Sequence, residues 1–148
     1  MEILYKSKSC VIVNKPAGIP VEPDLSGDAD AMTLTSLTLK EMGECDSLWL
    51  VHRLDRVVGG LVVFARNKKS AAELSRLFSN HSLVKEYYAV VEGELLESGE
   101  MRDYIYKDAR SSKAFIVDRK RNGVKEAVLN YKHLESLKTE KGTLSLLS

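Results

Sequence analysis

The sequence predicts an α+β domain in which a mixed, mainly antiparallel β-sheet is flanked by helices. Three observations carry this. Most apolar runs are short and bounded by turn residues, as strands are. Two stretches place apolar residues at helical spacing behind a capping side chain. Thr139-Glu140-Lys141-Gly142 separates two strand-like runs and reads as a hairpin turn. The 148 residues, 44% apolar and 29% charged, suit one domain, 1–148, able to bury a core without disulfide or metal.

Along the chain, residues 10–13 form a β-branched run that ends at Lys15-Pro16-Ala17-Gly18, where proline removes a donor and glycine permits positive φ. A helix is expected over 31–42, with Asp30 as cap, Leu34, Leu37 and Met42 on its apolar face, and Gly43 just past its end. Gly60–Ala65 is a continuous apolar run of strand length. Asn67 then caps a second helix whose Ala71, Leu74 and Phe78 share a face. Residues 84–92 and 126–137 read as strands, and 143–147 as the strand after the hairpin turn. The chain stops within that last run, without cap or polar tail, as though cut at its carboxyl side.

Cys10 and Cys45 lie far apart, with neither a C-x-x-C spacing nor a histidine cluster, which speaks against a zinc site or a disulfide scaffold. The opening residues carry no long apolar segment, and no stretch reaches the roughly 20 apolar residues of a membrane span. A reducing cytoplasm is the expected location. The net charge of +1 gives no global signature of nucleic-acid binding, so local charge has to decide. Glu22, Asp24, Asp28 and Asp30 form one stretch that would repel phosphate, and Glu92, Glu94, Glu97, Glu100 and Asp103 form another. Arg53, Arg56, Arg66, Lys68 and Lys69 make a basic stretch, and so do Lys107, Arg110, Lys113, Arg119, Lys120, Arg121 and Lys125. Each is suited either to a polyanion or to a solvated face.

The chemistry concentrates in His52-Arg53-Leu54-Asp55-Arg56, followed by Val57-Val58-Gly59-Gly60 and the apolar strand. Asp55 stands between two arginines at a strand entrance, so cationic neighbours would keep its carboxylate ionised. Such a group can act as a nucleophile or stabilise a developing cation. The plain alternative is an Arg–Asp pair bracing a tight turn. His52 has no serine, cysteine or second histidine at an informative spacing, which removes a Ser-His-Asp or metal reading.

Together with Gly60-Leu61-Val62-Val63-Phe64-Ala65, that segment closely resembles the active-site motif of the RluA class of RNA pseudouridine synthases. Three further blocks resemble the family in order: Val13 to Val21 around the Lys-Pro-x-Gly turn, Lys85-Glu86-Tyr87-Tyr88-Ala89-Val90-Val91-Glu92-Gly93, and Lys125 to Glu135. The resemblance implies that a uridine in ribosomal or transfer RNA is isomerised to pseudouridine, without cofactor or metal. The N-glycosidic bond breaks, the uracil turns, and a bond forms from C5 to C1′. Asp55 matches the catalytic aspartate, a residue type suited to positive charge at C1′. Whether it forms an ester at C1′ or removes the C2′ proton to give a glycal stays open. Tyr87 matches the active-site tyrosine, placed to stack on uracil or to help remove the C5 proton. A base in paired RNA has to be extruded first, and Arg53 matches the residue that fills the vacated stack. Arg56, His52 and Lys15 complete the expected RNA contacts, with a solvated lysine as the alternative for Lys15.

Three departures accompany the resemblance. Val58-Gly59-Gly60 stands where the family often has Thr-Ser-Gly, leaving more space and fewer hydroxyls near Asp55. The later Gly-Arg-x-His-Gln-Ile-Arg segment does not occur, in keeping with a cut carboxyl side. A stand-alone form, without an S4-type RNA-binding domain ahead of the catalytic block, is the expectation. The rival reading is a non-catalytic module for structured RNA, in which Asp55 only braces its turn. A sugar hydrolase would need a second carboxylate facing Asp55, and the sequence nominates none.

Overall fold

Cys10–Lys15, strand β2, is the element around which the amino-terminal half is built. It pairs antiparallel with β1 (Glu2–Lys6) on one side and with β4 (Gly60–Ala65) on the other; β3 (Trp49–Leu50) adds to β4, giving the order β1-β2-β4-β3. These assignments come from a computed structural model, which describes all residues except 81, 96, 109, 110 and 112. The chain divides into two compact units, Met1–Val84 and Lys85–Ser148. In the first, Val11 and Val13 of β2 and Val62 and Phe64 of β4 are fully buried, and the helix α1 (Ala31–Glu41) lays Ala31 and Leu39 against them. Burial of side chains of this size contributes about 1.5–3 kcal/mol each. The second helix, α2 (Lys68–Ser79), packs on β3 and β4.

Both helices start where the sequence places them. The Asp30 carboxylate accepts from Thr33 N at 2.8 Å, and the Asn67 side chain accepts from Ser70 N at 2.9 Å. Gly43, at φ +71°, ends α1, and Glu44 N reaches back to Leu39 O at 3.0 Å. The buried face of α1 differs from the expected one: Ala31, Thr35 and Leu39 are inside, while Leu37 and Met42 are more than half exposed. Thr35 goes inside because its hydroxyl donates to Ala31 O at 2.6 Å, leaving only its methyl to be packed. A ranking by side-chain size misses that face.

The first basic stretch does not form a cationic surface throughout. Arg66 has a side chain only 10% exposed; its Nη1 reaches Ser7 O at 3.0 Å and Glu44 at 2.9 Å, and its Nη2 reaches Cys45 O at 3.0 Å. Lys6 pairs with the same Glu44, and these two cations hold that carboxyl below the ordinary glutamate range. Arg66 thereby ties the β1–β2 turn to the segment after α1.

The second unit holds two antiparallel sheets, β5-β10-β9 and β7-β6-β8. Their strands are β5 (Ala89–Glu92), β6 (Gly99–Asp108), β7 (Lys113–Val117), β8 (Val124–Tyr131), β9 (His133–Thr139) and β10 (Gly142–Leu147). The strand expected over 84–92 begins only at Ala89, and the run 126–137 is two strands in different sheets. The break falls at Lys132, whose N–H and C=O both pair with Ser148 instead of continuing the β8 ladder. The hairpin turn at 139–142 is as the sequence predicts, with Thr139 opposite Gly142. Ser145 of β10 is fully buried because its hydroxyl donates to Gly93 O at 2.8 Å and accepts from Leu95 N at 3.2 Å. In the second basic stretch, β7 and its flanks carry Lys113, Arg119, Lys120 and Arg121 at the surface; Arg110 lies outside the described residues.

Arg66→Met keeps the volume and deletes the donors. It should lower stability by about 2–3 kcal/mol, because the Ser7 and Cys45 carbonyls and Glu44 lose their charged partner. Urea unfolding measures this; an unmoved midpoint would mean that Arg66 contributes nothing to the fold.

Candidate active site

Loop 51–59 leaves the sheet at β3 and returns at β4, and its root is set by His52. The β3 strand is only two residues long, so on that side of β4 it offers no partner to the Val63 N–H. His52 Nε2 accepts that hydrogen bond at 3.0 Å, and the ring stacks on Phe78 of α2 at 4.2 Å and 18°. A side chain thus continues the ladder by one rung. His52, expected among the RNA contacts, has a half-buried ring whose Nε2 is bonded to the backbone.

The far end of the loop is fixed by Lys15, and here the structure departs from the expectation. Expected at the RNA or in solvent, the Lys15 side chain is fully buried. Its ammonium donates to Ile19 O at 2.8 Å, Pro16 O at 3.1 Å and Arg56 O at 3.3 Å. One cation therefore clamps the Lys-Pro-Ala-Gly turn to the loop that carries Asp55. Gly18 N adds a bond to Arg56 O at 2.7 Å, with Gly18 at φ +96°, and Val58 N closes the loop's own turn on Asp55 O at 3.0 Å. Burial pushes the Lys15 ammonium below the ordinary lysine range, and the Asp55 carboxylate partly restores it.

The two glycines have separate causes. Gly60 sits at φ +136°, which an L side chain rarely adopts. At Gly59 a Cβ would lie 3.3 Å from Ala17 N and 3.4 Å from Lys15 O. The extra space expected there is not present; glycine is what lets the loop lie against the Lys15 turn.

Asp55 projects from this clamped loop into solvent. Among the described residues no guanidinium reaches it, so neither the expected cationic neighbours nor the bracing pair forms. Arg53 Nη1 instead meets Glu22 at 3.2 Å. Arg56 Nη2 meets Asp28 at 2.8 Å, Ser26 Oγ at 2.7 Å and Asp24 at 3.6 Å. Two bonds from Ser26, with Arg56 behind them, hold the Asp24 carboxyl below the ordinary aspartate range. The acidic stretch expected to repel phosphate pairs internally instead, and the complementary charge of 22–28 and 53–56 is the sequence signal for it. The structure brings Lys15, Arg53, Asp55 and Arg56 onto one clamped loop and turn. Tyr87 belongs to the second unit, ahead of β5, where it is 50% exposed.

A carboxylate with uncommitted oxygens on a rigid backbone is suited to nucleophilic attack or proton removal at a sugar. The sequence profile of the family described as RNA pseudouridylate synthase matches residues 9–148. A Haemophilus influenzae protein named an uncharacterized RNA pseudouridine synthase is 42% identical over 90 residues, 61% of this chain and 38% of that protein. A Vibrio parahaemolyticus protein named tRNA pseudouridine synthase C is 29% identical over 143 residues, 97% of this chain and 57% of that one. The solved structure of human RNA Pseudouridylate Synthase Domain Containing 4 superposes with a TM-score of 0.76 at 25% identity, covering 99% of this chain and 57% of that one. The chain spans between about two fifths and three fifths of the length of these proteins.

Lys15→Met should destabilise the protein by about 2–4 kcal/mol, because buried carbonyls lose their donor. The pH dependence has a definite sign. In the alkaline window between the lowered folded value and the ordinary one, the unfolded lysine keeps its proton while the folded one releases it. The Lys15 contribution to stability therefore rises with pH there, as the burial cost of the charge is relieved. Chemical unfolding across that window should show wild type gaining on Lys15→Met as pH increases; a constant gap would sink this account of the clamp.

Proposed function

Because the chain belongs to the RNA pseudouridylate synthase family, we propose that the protein isomerises uridine in RNA to pseudouridine, with Asp55 as the catalytic carboxylate. The observation that carries this reading is the exposed Asp55 carboxylate on a loop locked by Lys15 and by the Gly59–Gly60 approach. Cleavage of the N1–C1′ bond develops positive charge on the sugar, and the carboxylate either bonds to C1′ or takes the C2′ proton. The freed uracil turns and C5 bonds to C1′ as the carboxylate leaves C1′ or returns the proton to C2′; the C5 proton then leaves to solvent while N1 takes one up. Substrate and product have the same composition, so the bonds balance without oxidant or co-substrate.

Arg53 is assigned to the space left by the extruded base, as a planar cation able to stack. Arg56 is assigned to a phosphate close to that nucleotide. Both guanidiniums lie at the surface, where exchange of partners is possible. Tyr87 is assigned to the uracil ring or to loss of the C5 proton. Lys15 and His52 act from beneath as positioning residues. The basic flanks of β7 supply sequence-independent backbone contact.

Loss of the C5 proton makes the reaction measurable as tritium release from C5-tritiated uridine in RNA. Asp55→Asn should lower release by roughly 10³-fold. Its side chain is exposed, so stability should stay within about 0.5 kcal/mol and RNA binding within about threefold. Undiminished release from Asp55→Asn would remove the carboxylate mechanism; no release from wild type with RNA binding retained would favour a binding module instead.

A further inference from the structure

The loop between β2 and α1 is anchored at both ends. Ala31 N bonds Pro20 O at 2.9 Å, Met32 N bonds Val21 O at 2.9 Å, Val21 is buried, and Asp30 caps α1. Between the anchors the loop is at the surface: Leu25 is wholly exposed, and Gly27 sits at φ +72°. What the middle of this loop holds is the arginine pair. Glu22 takes Arg53, while Asp28, Ser26 and Asp24 converge on one nitrogen of Arg56. Several anionic or hydroxyl oxygens around one guanidinium reproduce the chemistry a phosphate offers.

We propose that Glu22, Asp24 and Asp28 determine RNA specificity as an internal phosphate mimic, an acidic strap that occupies Arg53 and Arg56 until an RNA replaces it on both. The proposal rests on the reading of the Asp55 loop as an RNA site and adds a selection step to it. An RNA that can offer only scattered phosphates competes with the strap and gains little. An RNA that also places a nucleotide at Asp55 gains enough to displace it. Exposed ion pairs of this kind shift an equilibrium by a factor of about 1.5 to 5 each, a threshold and not a block. Exchange of carboxylate for phosphate also mutes the salt dependence, because each strap carboxylate set free regains counterions as the RNA loses them.

The test uses fluorescein-labelled oligouridine, an RNA without a structured target, and anisotropy over a range of salt. The variant Glu22→Gln/Asp24→Asn/Asp28→Asn spares the Asp30 cap. It should bind oligouridine about tenfold more tightly than wild type, with a salt slope steeper by about one to two. Glu22→Gln and Asp28→Asn alone should each give about a two- to fivefold gain, and they decide the matter if the triple variant fails to fold. A control that removes the same charge from exposed positions of the second unit, Glu94→Gln/Glu97→Gln/Asp103→Asn, should change affinity much less. Equal gains from control and strap variant would overturn the proposal, as would unchanged or weaker binding by a folded strap variant. Tritium release on the same preparations keeps the two ideas apart. Tighter binding without release from wild type would end the isomerase reading and leave the strap standing; release with unaltered binding would do the reverse.

Discussion

The Lys15 ammonium is the interaction on which the candidate site depends. A cation without exposed surface ordinarily costs more than its contacts return, unless its protons all find acceptors. Lys15 meets that condition with three backbone carbonyls, from Pro16, Ile19 and Arg56. Two of them lie within four residues of Lys15 in sequence, and the third is 41 residues away. A single side chain therefore shapes the turn after β2 and fastens it to the loop before β4. A neutral residue of equal length would fill the space and leave the carbonyls without donors. The charge also lies under Asp55, near enough for the two to feel each other.

The remaining constraints on the Asp55 loop are backbone constraints. Gly18 N on Arg56 O and Val58 N on Asp55 O hold its path, and Gly59 allows it to lie against Lys15 and Ala17. His52 holds the opposite end by standing in for a missing strand. In a loop fixed this way, the carboxylate needs no side-chain partner to be positioned. That accounts for the departure from the family's Thr-Ser-Gly pattern: the turn is supported by main-chain bonds and close approach, so hydroxyls at 58 and 59 are not required to shape it.

What could be read in the sequence was local. Asp30, Asn67 and Gly43 bond within their own helix ends, and Gly18 shapes its own turn, so each was visible over a few residues. Strands β2, β4 and β10 were visible because apolar runs there coincide with pairing. Strands β1, β6 and β7 were not, since much of what they carry is polar or exposed and their definition comes from neighbours. The one-run appearance of 126–137 hid a change of sheet at Lys132 that depends on Ser148. Asp55 stands out in its motif, but the burial of Lys15 does not. A lysine beside a turn is read as solvated until the three carbonyls that surround it are known, and these come from folding.

The arginines show the same limit in a form that bears on function. Arg53 and Arg56 flank Asp55 in sequence, and proximity along the chain suggested that they would pair with it. They meet carboxylates 28 to 32 residues earlier instead. Had either arginine bonded Asp55, its carboxylate would have been held in an ion pair. With the guanidiniums turned to the β2–α1 loop, the Asp55 oxygens stay free of them, and the arginines' partners are exposed carboxylates, whose ion pairs are worth little each. The charge arrangement that looked self-cancelling in composition, a net of +1, is thus a spatial division of labour. A buried cation supports the loop from below, surface cations pair with the carboxylates of the β2–α1 loop, and the Asp55 carboxylate is left exposed.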